Sequence, residues 1–151
     1  MNRSEKALTY YSSGFNCAQS VIVSFADIMN IDEETALRLA SGFGGGMGRM
    51  QGTCGAVTGA FMVIGYLRGK YKQGDDDAKE ITNHLIQEFS KKFTQINGSI
   101  NCKTLIHFDL NTPEGRKEAY DTKVFDKNCT NYVKSAVELL EDIINKEVNL
   151  K

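Results

Sequence analysis

The sequence predicts an all-α protein: one helical bundle over residues 1–151, with a Gly-rich loop ahead of its central helix. Three observations lead there. Apolar residues recur at three- and four-residue intervals through most of the chain. No segment shows the two-residue alternation with β-branched enrichment that marks a strand. The composition is 41% hydrophobic and 25% charged over 151 residues, so a core can form without disulfides or metal. Neither an internal repeat nor a low-complexity linker divides the chain.

The elements follow in order. Ser4 is placed to cap a first helix running to about Ser12. Asn16, with Gln19 three residues on, forms a capping-box pattern for a second helix, whose apolar face is Ala18, Val21, Ile22, Phe25 and Met29. Asp32 opens a third helix through Leu39, with Glu33 and Glu34 in its first turn, where the helix dipole favours negative charge. Gly42 to Gly48 then holds five Gly in seven residues. Ordering each Gly in a helix costs about 1 kcal/mol more than Ala, so this stretch must be a loop.

From Cys54 to about Tyr71 the pattern is apolar nearly all round, as expected of a central helix. Gly55 and Gly59 lie one turn apart on it and would let a neighbouring backbone approach. Asp75 to Asp77 start a long fifth helix with the face Ala78, Ile81, Leu85, Phe89, Phe93 and Ile96, ended by Asn97-Gly98. The signal weakens over residues 99–128, where a short helix around Cys102–His107 and another opening at Thr112-Pro113-Glu114 are expected. The last helix presents Val133, Ala136, Val137, Leu140, Ile143 and Ile144.

Charge excludes some functions. With 18 Lys and Arg against 19 Asp and Glu the net charge is −1, which does not suit a grip on nucleic acid or an anionic membrane. The uncharged stretch between Arg49 and Arg68 is interrupted by Gln51, Thr53, Thr58 and Gly, and its apolar part, Ala56 to Leu67, is too short to cross a bilayer. No membrane insertion is expected. The first sixteen residues lack an apolar h-region and a small-residue cleavage site. A cytoplasmic location is therefore expected, and there four Cys point to redox, metal or catalytic work more than to structural staples.

Those four are Cys17, Cys54, Cys102 and Cys129, with no C-x-x-C among them, so any shared site must be assembled by the fold. Each follows a good N-cap residue: Asn16, Thr53, Asn101 and Asn128. A Cys in the first turn of a helix meets unpaired amides and the positive dipole end, which favour thiolate over thiol. The thiolate is both nucleophile and metal ligand, so the placement suits either chemistry. The competing reading is of small buried hydrophobes.

Around Gly52-Thr53-Cys54-Gly55-Ala56-Val57-Thr58-Gly59 the sequence resembles the C_GCAxxG_C_C family, small bacterial and archaeal four-cysteine proteins to which a redox role is ascribed. The match lies in Cys54-Gly55-Ala56-Val57-Thr58-Gly59, in one Cys upstream within Phe15-Asn16-Cys17-Ala18-Gln19, in two downstream, and in the Gly-rich lead-in Gly42 to Arg49. The resemblance covers nearly the whole chain. It implies redox or metal-linked work with Cys17, Cys54, Cys102 and Cys129 as the functional positions. Covalent haem is not expected, because C-x-x-C-H is absent.

Three readings stay open. In the first, the four Cys carry thiol–disulfide exchange or electron transfer, as in a thiol-based oxidoreductase, with Cys17 and Cys54 the first pair to watch. In the second, all four ligate an iron–sulfur cluster or zinc. In the third, the cysteines are passive in a non-enzymatic binding module. The loop suggests a phosphate cradle, yet no Lys-Ser/Thr follows it and no strand precedes it. Gly52, Gly55 and Arg49 are the candidate cofactor contacts, and Arg49 could hold an anion or steady a thiolate near Cys54. His84, His107 and Asp75 to Asp77 read as ordinary surface and helix-start residues. The expected partner is an electron donor or acceptor, or a thiol; self-association is expected through the apolar central helix.

Overall fold

The computed structural model describes residues 1–149. Among them are nine α-helices: α1 (Arg3–Ser12), α2 (Cys17–Val23), α3 (Ala26–Met29), α4 (Glu33–Ala40), α5 (Gly55–Arg68), α6 (Asp76–Asn97), α7 (Cys102–Ile106), α8 (Pro113–Asp121) and α9 (Thr130–Asn149). A five-residue π-turn, Phe125–Cys129, leads into α9. The only extended pairing among the described residues is an isolated antiparallel bridge between Thr53 and Asn101. The fold is all-α, and no described helix is long and apolar enough to cross a membrane.

Helix α5 is the axis. It packs most extensively on α2 and is flanked by α6 and α9, while α1 lies across α2 and α9. Gly59 makes the α2–α5 packing close: a Cβ there would stand 2.9 Å from the Ala18 carbonyl oxygen and 3.1 Å from Val21 Cβ. The expected Gly pair thus works inside the chain. Val57 and Val63 of α5 join Phe89 and Phe93 of α6 and Val133 and Leu140 of α9 in one core, where burying each large side chain contributes about 2 kcal/mol. Phe61, Phe89, Phe93 and Tyr132 run as a series of aromatic contacts with centroids 5.9–6.3 Å apart.

Several boundaries differ from the sequence reading. Asn2, not Ser4, caps α1: its side chain accepts from the Glu5 amide at 2.8 Å while Glu5 returns a bond to the Asn2 amide. Ser4 is buried instead. The second helix breaks after Val23, where the Ser24 and Phe25 amides bond to carbonyls three residues back, and α3 ends on Asn30 in the left-handed region. Helix α5 begins one residue after Cys54 and stops at Arg68, because extended Gly69 follows. Ile96 lies on the predicted face of α6 yet is 64% exposed. The Asp32, Asp75 and Thr112 caps stand as expected.

Candidate functional site

The four cysteines come from four different places in the chain and line one cavity of about 730 Å³. Cys17 opens α2, where Asn16 accepts from the Gln19 amide at 2.9 Å and Gln19 bonds back to the Asn16 amide at 3.0 Å. Cys102 opens the short α7 behind Asn101, whose side chain accepts from the Thr104 amide at 3.1 Å. Two of the four predicted N-caps therefore hold. Thr53 does not cap: Cys54 itself occupies the N-cap position of α5, and Thr53 pairs with Asn101. Asn128 does not cap either, because Cys129 closes the π-turn and the backbone runs on helically into α9. π-Turns inside helices recur at functional sites.

The bridge sets Cys54 beside Cys102. The Cys54 amide donates to the Ile100 carbonyl at 2.7 Å and the Cys102 amide to the Gly52 carbonyl at 2.8 Å. The glycine loop closes over this pair. At Gly46 a Cβ would come within 2.7 Å of Cys102 Cβ and 2.6 Å of Gln51 Cα, and φ is +69°, so both space and backbone require glycine. Met47, Arg49 and Gln51 also have positive φ, at about 1–2 kcal/mol each for a non-glycine residue. Such strain persists where surrounding contacts over-determine it. Here buried Gln51 supplies them, donating to the Phe108 carbonyl at 2.6 Å and accepting from the Leu110 amide at 2.8 Å.

Cys54, Cys102 and Cys129 are buried, and Cys17 is the most accessible of the four. The expected thiolate bias fails at three of them: at Cys54 and Cys102 because desolvation outweighs the helix ends, and at Cys17 chiefly through its interaction with Cys129. Burial pushes the Cys54 thiol up to about 11 against the opposing amides of Ala56 and Val57. Burial, with the nearby sulfurs of Cys54 and Cys129, pushes Cys102 up to about 12. Cys17 is held protonated, first by its hydrogen bond with Cys129 and then by burial. Cys129 is shifted the other way: the Cys17 thiol and the Tyr11 hydroxyl both favour its charged form. The strongest coupling of Cys17 is thus to Cys129, not to Cys54.

Tyr11 and Tyr132 complete the wall. The Tyr11 hydroxyl, kept protonated by burial, has one proton for two acceptors, the Phe125 carbonyl at 3.1 Å and the Cys129 sulfur. The Tyr132 hydroxyl donates to the Leu105 carbonyl at 3.0 Å, tying α9 to α7. Neither was singled out from sequence, although Tyr11 follows buried Ala7 by four residues and shares its helix face. Arg116 is a third unanticipated wall residue, half-buried, donating to the Leu110 carbonyl at 2.9 Å.

Of the candidate cofactor contacts, Gly55 and Arg49 line the cavity, while Gly52 lies behind it and holds Cys102 through the backbone. A Cβ on Gly55 would meet the Phe43 carbonyl oxygen at 3.0 Å and Cys17 Cβ at 3.3 Å, so that glycine keeps α5 close to Cys17. His84 and His107 are exposed and outside the cavity wall. Among the described residues no three His, Cys, Asp or Glu side chains are grouped closely enough to hold a metal ion. The four sulfurs share a cavity without meeting at one point.

No curated protein and no solved structure matches the chain. A family model does, over residues 15–143, from the residues ahead of Cys17 to the middle of α9. All four cavity cysteines fall inside that span, and the chain belongs to the family described as "Putative redox-active protein (C_GCAxxG_C_C)".

Proposed function

We propose that the protein is a dithiol–disulfide oxidoreductase in which Cys129 attacks and Cys17 resolves. The observation that carries this reading is that Cys17 and Cys129 line one cavity and bias each other's ionisation in opposite directions. The thiolate is the attacking form in disulfide exchange, and Cys129 is the one cysteine whose surroundings favour it. Its sulfur attacks one sulfur of a substrate disulfide, forming a mixed disulfide and releasing the other half as a thiolate. The Cys17 sulfur, losing its proton, then attacks the Cys129 sulfur and displaces the remaining half. Two cysteines are oxidised to one disulfide, one disulfide is reduced to two thiols, and the protons given up by Cys129 and Cys17 go to the products.

Cys54 and Cys102, side by side across the Thr53–Asn101 bridge, form a second dithiol for onward exchange. The spread of the sulfurs favours exchange between pairs over coordination by all four. Oxidation of the reduced protein with one equivalent of a small disulfide tests the reading. The expected result is a mass loss of about 2 Da, one Cys17–Cys129 cross-link on peptide mapping, and a trapped mixed disulfide on Cys129 in Cys17→Ser. Anaerobically purified protein carrying stoichiometric iron and sulfide, with all four thiols blocked, would sink it.

A further inference from the structure

The proposed exchange leaves open what kind of disulfide enters, and the distribution of arginines bears on that. The chain has five. Arg3 pairs with Asp27, Arg38 with Glu34 and Arg68 with Glu147. The two with no carboxylate partner among the described residues, Arg49 and Arg116, are the two that line the cysteine cavity. They reach it from opposite sides in sequence, Arg49 from the glycine loop and Arg116 from α8. Arg116 uses one N–H on the Leu110 carbonyl, which fixes its stem and leaves other donors of the fork available. A planar guanidinium with open donors matches a carboxylate in two-pronged geometry.

The remaining walls agree with a small organic ligand. About 730 Å³ lies within the roughly 300–1,000 Å³ of ordinary ligand sites. Phe15 and Tyr120 supply apolar surface, and exposed Asp126 is the one acidic side chain on the wall, a natural acceptor for an ammonium group. Carboxylates and an ammonium together are the functional groups of amino-acid-derived thiols.

We infer that the cavity takes a carboxylate-bearing, low-molecular-weight disulfide, held through its carboxylates by Arg49 and Arg116 with its sulfur–sulfur bond toward Cys17 and Cys129. This rests on the proposed dithiol function and names its substrate class. The exchange is the balanced one above, the small disulfide leaving as two thiols.

Stopped-flow oxidation of the reduced protein by three disulfides tests it: glutathione disulfide (anionic), hydroxyethyl disulfide (neutral) and cystamine (cationic). Each rate is divided by that of dithiothreitol with the same reagent, to remove intrinsic reactivity. The expected preference for glutathione disulfide over the neutral reagent is about tenfold at low ionic strength, shrinking with added salt. Arg49→Gln, in an exposed loop, and Arg116→Lys, which keeps the charge and loses the fork, should each reduce that anionic-to-neutral ratio severalfold. Equal normalised rates for all three reagents, or a preference for cystamine, would overturn the substrate class and leave the dithiol function standing. Failure of every reagent to form an internal disulfide would overturn both.

Discussion

At the scale of single residues, the four cysteines differ because their surroundings balance desolvation against hydrogen bonding differently. Cys129 receives favourable interactions from the Cys17 thiol and the Tyr11 hydroxyl; Cys54 and Cys102 are buried with less compensation. Alkylation should therefore be ordered. With iodoacetamide between pH 6 and 9, Cys129 is expected to react first, and its rate to persist below the usual thiol range, because a lowered pKa keeps thiolate present at lower pH. Cys54 and Cys102 should lag until strongly alkaline conditions. Tyr11→Phe removes one donor, so the Cys129 rate profile should move to higher pH and its rate near pH 7 fall severalfold. An unchanged profile would show that the Tyr11 hydroxyl does not act on this sulfur. Tyr11 is a positioning residue here, its one proton passing between the Phe125 carbonyl and the Cys129 sulfur, and it favours the thiolate only when turned to the sulfur.

At the scale of elements, the site depends on how closely α5 lies against α2. Gly59 and Gly65 sit in the same helix and separate conformational preference from packing. At Gly59 an added methyl meets the Ala18 backbone at 2.9 Å, whereas at Gly65 it meets nothing within 4 Å. Gly59→Ala should therefore destabilise by about 1–3 kcal/mol through forced separation of the helices. Gly65→Ala should stabilise by about 0.5–1 kcal/mol through helix preference alone. Urea melts of the two variants give the comparison, and equal effects would mean that the α2–α5 spacing is not tight. The π-turn is the other decisive element. It carries Cys129 into the cavity on a helical backbone and leaves the Phe125 carbonyl on Tyr11, an arrangement that an N-cap at Asn128 would not produce.

For the whole molecule, the buried thiols couple folding to pH. Cys54 keeps its proton to about 11 in the fold, while an exposed thiol in the unfolded chain ionises near 9. Between those values the unfolded state has released a proton that the folded state retains, so stability must fall as pH rises. Cys102, raised for the same main reason, adds to the loss. Cys129 contributes in the opposite sense only below the unfolded thiol range. The expected cost from Cys54 alone is about 2–3 kcal/mol by pH 11. Denaturant melts in reductant at pH 8, 9.5 and 10.5 should show it, and Cys54→Ser should flatten the slope relative to the parent. Parallel pH dependence in the two proteins would remove the coupling.

The local physics of the chain was readable from its order of residues. The 3.6-residue periodicity placed the helices, because burying one face of each is the main stabilising term. Asn16, Asp32, Asp75, Asn101 and Thr112 marked helix starts because a side-chain oxygen can satisfy a free amide there. The glycine loop was evident as a loop, and the four cysteines as the chemical inventory. What stayed hidden was whatever depends on neighbours distant in sequence. Thr53 pairs with Asn101 instead of capping, and Asn128 lies inside a continuous helical backbone, each outcome set by long-range bonds. Dipole arguments gave the same sign for every cysteine, yet burial and the partner at each sulfur reversed three of them. Sequence determined which groups the protein can use; tertiary structure decided which of them meet and how much water they keep, because desolvation and pairing exist only once separate segments pack together.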